Sequence, residues 1–139
     1  MRRIACFLAC LLLLAVGNVQ ALSRAQQSSL EDMQTLYAAA IRWNDLDGAE
    51  RLIDPEYSAA HPQTDLQRAR YEQVQISGYS ELRSGVEGED RVVRDVEIRV
   101  INRNTQAERT VRVREVWRWD AKAKQWWLAS GLPDLWKGE

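Results

Sequence analysis

From Thr110 to Trp119 the side chains alternate, and the alternation puts an acid where acids rarely sit. Val111, Val113, Glu115, Trp117 and Trp119 share one face of a strand, while Arg112, Arg114, Val116 and Arg118 share the other. A carboxylate among tryptophan and valine needs a partner, or it holds its proton more tightly than usual. If that face is concave, Glu115 is a candidate catalytic acid/base or a polar anchor in a pocket. Alternatively it pairs with an arginine of a neighbouring strand, such as Arg99, or a bulge turns it outward. Other chemistry has little to work with. The chain holds one histidine, His61, and two cysteines, Cys6 and Cys10, too few for a histidine and thiolate metal set. No metal and no cofactor is expected.

The element that positions Glu115 is a hairpin. Thr110 to Trp136 carries five of the six tryptophans, and the polar DAKAKQ segment before Trp126 supplies the reversal for an antiparallel partner. Trp117 and Trp119, with Val113 on the strand and Met33 on the first helix, are expected to fill a core or line a ligand pocket. Trp126 and Trp127 must point to opposite faces, so at least one lies on the outer side of the sheet. There, with Arg114, Trp126 and Trp127 are candidates for a homodimer or partner interface. Arg112, Arg114 and Arg118 are alternatively placed to cover the outward ring by cation-π stacking. The tail GLPDLW is expected to fold back and pack Trp136 on the body.

Ahead of the folded part stands a basic MRR, an apolar run from Ile4 to Gly17 and the small-residue pattern Val19-Gln20-Ala21, the layout of a secretory signal peptide over 1–21. The run is shorter than the roughly 20 residues of a spanning helix, so no membrane association is expected after cleavage. Residues 22–139 are expected to form a single domain without cysteine, periplasmic or secreted, and stabilised by packing. That part has 17 basic and 20 acidic residues, a balance that argues against nucleic acid.

The first helix is expected to be capped by Ser28 or Ser29 after a frayed LSRAQQSS, with Leu30, Met33, Leu36, Tyr37, Ala40 and Ile41 as its apolar stripe. A turn at Trp43 to Gly48 leads to a short helix over about Ala49 to Ile53, closed by Asp54-Pro55. Glu56 to His61 reads as irregular, and Pro62 to Arg70 as a third helix with Leu66 and Ala69 as its contacts. Strands follow over Tyr71 to Leu82, with a bulge or bend at Gly78, and around Val92 to Val100. RSGVEGED between them reads as an exposed loop.

Helices followed by long antiparallel strands imply an α+β fold. The segments Met33 to Ala40, WNDLDGAERLIDPEY and VREVWRWDAKAKQWWLAS resemble the nuclear transport factor two-like superfamily, including its SnoaL-like and ketosteroid-isomerase-like members. The resemblance implies a cone: a strongly bent antiparallel sheet wrapped around N-terminal helices, with a cavity between them and, in many members, a dimer through the outer sheet face. It also implies candidate catalytic roles for Tyr37, as an oxyanion donor, and Asp54, as a base, beside Glu115. Cyclase-like relatives suggest a His61–Asp65 dyad. No motif locks these residues onto the family's positions, and the fold serves many functions. The favoured expectation is an exported, non-catalytic domain that binds a small apolar ligand or a protein partner. The alternatives are a SnoaL-like lyase or isomerase using carboxylates in the cone, and a cell-envelope assembly or inhibitory module.

Overall fold

The computed structural model describes residues 21–138; the expected signal peptide, apart from Ala21, lies outside the described residues. Four helices, α1 (Arg24–Arg42), α2 (Leu46–Glu50), α3 (Pro55–Ala60) and α4 (Asp65–Glu72), precede four strands. The strands are β1 (Val74–Glu87), β2 (Arg91–Asn102), β3 (Glu108–Asp120) and β4 (Gln125–Leu128), in one open antiparallel sheet of order β1-β2-β3-β4.

Helix α1 begins earlier than its sequence suggests. Ser23 accepts the Gln26 N–H at 3.1 Å and the Gln26 side chain accepts the Ser23 N–H at 3.0 Å, a reciprocal cap, so the polar residues expected to fray are helical. The first turn is tied down further by the Trp126 indole N–H, which donates to the Gln26 carbonyl at 2.9 Å. The buried stripe is Leu30, Gln34, Tyr37, Ala40 and Ile41; Leu36, expected in it, is 56% exposed because Gln34 takes the inward position.

Helix α3 occupies residues expected to be irregular. Asp54 caps it by accepting the Glu56 N–H at 3.0 Å, and Pro55 sits in the first turn, where a missing N–H costs nothing. Thr64 caps α4 in the same reciprocal way with Gln67. Leu66 and Ala69, expected as the contacts of that helix, are both exposed, and neither α3 nor α4 buries a residue fully. Tyr71 belongs to α4, so β1 starts three residues late, and the expected RSGVEGED loop is in large part strand, its Arg83 to Glu87 paired with Arg91 to Asp95. Only the tip, with Gly88 at φ 72°, makes the turn.

The bend of the sheet comes from two register shifts in β1, between Ile76 and Gly78 and between Glu81 and Arg83. Inward-facing Val74, Ile76, Val96, Ile98, Val100, Trp117 and Leu128 form the core with Tyr37, Ala49 and Leu135. The helical half is stitched to the β4 edge: the Asp54 N–H donates to the Leu128 carbonyl at 2.9 Å, and the Leu128 N–H to the Leu52 carbonyl at 2.8 Å.

Trp126 and Trp127 do point opposite ways. Trp126, expected at an interface, is fully buried and packs 5.5 Å from the Trp119 ring, so it is core. Trp127 is half-buried on the outer side, where its indole N–H reaches Asp120 at 3.4 Å. The arginines beside it are engaged by acids rather than seen stacked on a ring among the described residues, and for Arg112 and Arg114 those acids lie in register on β2. Arg114 meets Asp95 at 2.9 Å and Arg112 meets Glu97 at 3.4 Å, while Arg118 turns to Asp54 at 2.8 Å. Truncating Trp126 to alanine is expected to lower unfolding free energy by about 3–5 kcal/mol in urea titrations. Leu66→Ser on the exposed face of α4 is expected to stay within about 0.5 kcal/mol of the parent.

Candidate functional site

Glu115 is 2% exposed, and three groups converge on it. The β2–β3 register sets Arg94 directly opposite, with Nε and Nη2 2.9 and 2.7 Å from Oε2. The Trp117 indole N–H donates to the same oxygen at 3.0 Å, and the Tyr79 hydroxyl donates to Oε1. Tyr79 in turn accepts from Arg94 Nη2 at 2.9 Å, so acid, guanidinium and phenol close a ring of hydrogen bonds. Glu115 is thus paired, but with Arg94 rather than Arg99, whose side chain packs beside Gly78.

Tyr79 was not among the expected site residues, and its arrival has a definite cause. Val74 and Ile76 point inward, and strict alternation would send Tyr79 out; the register shift before Gly78 turns it in, opposite Ile98. A bulge at Gly78 was legible, but its consequence for the next residue decides the site.

Electrostatics agree with a closed network. Burial pushes the Tyr79 hydroxyl well above its usual range, and the Glu115 charge pushes it further. Tyr37 is raised by the same two causes, in the same order. Burial is the largest single influence on Arg94 and works against its charge, but the Glu115 charge and hydrogen bond, with Tyr79 and Glu81, together outweigh it and raise its pKa. Tyr37 is 1% exposed and meets Trp117 edge-on at 5.7 Å. Trp117 is itself fully buried, so both are core. Met33, Val113 and Trp119 are half-buried and packed against that core.

Asp54 lies elsewhere. Its neighbours are Arg118 and Asp120, whereas those of Tyr37 are Glu115, Tyr79, Tyr71 and Arg94, so the structure does not assemble Tyr37, Asp54 and Glu115 into one set. The hydrogen bond from Arg118 holds the Asp54 carboxyl below its usual range. His61 stacks on Tyr57 at 4.2 Å with its Nδ1 3.1 Å from the Tyr57 carbonyl; this, rather than a pairing with Asp65, is what orients the ring. Trp127 and Arg114 occupy the outer face expected of them.

One concave region adjoins the closed network and another lies apart from it. A groove of about 440 Å³ runs between α1 and the edge strand β1, past Gln34, Tyr79, Glu81 and Arg94. A larger cleft of about 940 Å³ lies between the short helices α2–α4 and the C-terminal segment from Leu132 to Trp136. Its lining includes the aromatic rings of Tyr57, His61, Tyr71 and Trp136. Trp136 does fold back, donating its indole N–H to the Arg70 carbonyl at 3.1 Å, with the guanidinium carbons of Arg70 and Arg109 each 5.3 Å from its ring. The Tyr71 hydroxyl holds the Pro133 carbonyl. Among the described residues no cluster of three or more acidic, histidine or cysteine side chains is placed to hold a metal ion.

Replacing Arg94 with methionine leaves the Glu115 charge buried and is expected to cost about 3–5 kcal/mol in urea unfolding, with most of that recovered in Arg94→Met/Glu115→Gln. Because the Asp54 pKa is lowered, its contribution to stability is present above pH 3.8 and is lost as pH falls through its folded-state value. In Arg118→Leu, NMR titration is expected to show the Asp54 midpoint moving up, with acid unfolding beginning at higher pH.

The chain matches no family model and no curated protein. Among solved structures it is similar to a ketosteroid isomerase-like protein from Erwinia carotovora atroseptica SCRI1043, at 14% identity and a TM-score of 0.53 over 77% of this chain and 93% of that one. It also matches a protein of unknown function with a cystatin-like fold from Nostoc punctiforme PCC 73102, at 9% identity and a TM-score of 0.46 over 77% of this chain and 88% of that one. The first likeness shows the fold alone: this chain has the nuclear transport factor two-like fold of ketosteroid isomerase-like proteins, an α+β cone with an open four-stranded sheet.

Proposed function

We propose that this protein is an exported, non-catalytic binding domain, and that its ligand lies in the cleft beside α2–α4 rather than inside the cone. The observation that carries this reading is the state of Glu115. A general base in a cone must have an oxygen free to meet substrate, and here both oxygens are engaged by Tyr79, Arg94 and Trp117, behind fully buried Trp117 and Val96. The cleft, by contrast, offers aromatic walls and open volume. The basic and apolar N-terminal stretch supports export. The polar residues among the cleft's lining favour a ligand of mixed character over the purely apolar one that the tryptophans suggested.

A lyase or isomerase reading has one observation in its favour, the meeting of Glu115 with Tyr79 close to Tyr37. Native mass spectrometry of protein purified from its own host separates the two. A bound small molecule is expected, lost in Trp136→Ala and kept in Glu115→Gln. The opposite pattern would move the ligand into the cone and restore the carboxylate mechanism.

A further inference from the structure

Helix α1 turns one face to the core and carries a second apolar stripe on the face away from it. Leu36 is 56% exposed and Trp43 84%, and Ala39 between them is exposed as well. At steps of three and four residues these side chains line one side of the helix, and Asp32 continues the line towards its N-terminus. The usual pattern is inverted here, since Gln34 takes an inward place while leucine and tryptophan face out. Trp43 is held at a fixed helix end. Its backbone N–H donates to the Ala39 carbonyl at 3.0 Å, and the next residue, Asn44, at φ 57°, donates its side-chain amide to the Tyr71 carbonyl at 3.0 Å. The Trp43 indole N–H has no partner among the described residues.

Charge constrains what covers this stripe. Exposed Glu31 and Asp32 flank one end and exposed Arg42 the other. Arg42 donates to the Tyr79 carbonyl at 2.8 Å, and no carboxylate among the described residues pairs with it. A face that is acidic at one end and basic at the other fits a copy of itself turned end for end. With a twofold axis crossing between Leu36 and Ala39, each Leu36 meets the partner's Ala39 and each Trp43 the partner's Asp32. Arg42 then comes beside the partner's Glu31. Large packs on small at the centre, the alanines let the two helices approach closely, and the free indole N–H gains a carboxylate acceptor. A parallel pairing would set Arg42 against Arg42 and Asp32 against Asp32. The outer sheet face fits a second copy less well, because its charges are matched within the chain: Arg114 by Asp95 at 2.9 Å and Arg112 by Glu97 at 3.4 Å. Its Trp127 indole also reaches Asp120.

We propose that the exposed stripe of α1 is a homodimer interface, two copies packing antiparallel through Leu36, Ala39 and Trp43 with Arg42 of each beside the acids of the other. A 19-residue helix is about 28 Å long, and one helix pair lies at the small end of stable interfaces, so the dimer dissociates at about 10–100 μM.

Sedimentation velocity of the purified protein from about 1 to 300 μM, with NMR of the tryptophan indoles over the same range, tests it. A dimer that grows with concentration is expected, and the Trp43 indole resonance is expected to move with it. Trp43→Ser, Leu36→Ser and Asp32→Lys are each expected to weaken association about tenfold or more with an unchanged urea midpoint, since all three side chains are exposed. Trp127→Ala is expected to associate as the parent does. A monomer at every concentration would overturn the proposal and leave the stripe to a different protein. A dimer lost in Trp127→Ala and kept in Trp43→Ser would overturn it in favour of the outer sheet face.

Discussion

A charge pair inside the sheet constrains the whole molecule. Arg94 and Glu115 face each other across β2 and β3 on the inner side, where neither tolerates the loss of the other. Asp95 and Arg114, the next pair along, face each other on the outer side. Sliding β3 by one residue in one direction sets Arg94 opposite Arg114, and in the other direction sets Asp95 opposite Glu115. Either slip makes a like-charge contact and turns the apolar set outward, so alternating opposite charges hold the register that hydrophobic pattern alone would hold less firmly. Tyr79 then ties β1 to the pair, and Trp117 ties it to the tryptophan core.

That arrangement closes the interior. The cone's most polar residue is consumed by structure, and the volume around it is occupied by Trp117, Tyr37, Ile98 and Val96. Open space is displaced to the rim, where α3 and α4 bury no residue fully. Short capped helices hold their backbones through Asp54 and Thr64 but leave Tyr57, His61 and Tyr71 partly uncovered in the cleft that Trp136 also lines. The fold's concave sheet thus serves as a stable base, and its open volume lies along the helical edge.

Several features were legible because their physical signals are local. Period-two alternation marked β3 and its partner, the polar DAKAKQ turn marked the reversal, and the opposite faces of Trp126 and Trp127 followed from backbone geometry. The oddity of Glu115 followed from the same count. Helix α3 was missed because Asp54-Pro55 signals both the end of one helix and the start of another, and only the cap to Glu56 decides between them. Which of Trp126 and Trp127 turns inward depends on the register with Trp119 and Arg118, a relation between strands.

By itself, then, the sequence determined that helices precede the strands, the α+β class, the inward acid and the crowding of tryptophan in the last hairpin, since each rests on spacing along one chain. Tertiary structure alone decided that Glu115 is bound by Arg94 and Tyr79, that Asp54 belongs to Arg118, and that His61, Gln63 and Trp136 share one cleft. Those facts depend on a bulge that inverts one strand's faces and on contacts between residues as far apart as Asp54 and Arg118, which no period in the chain encodes.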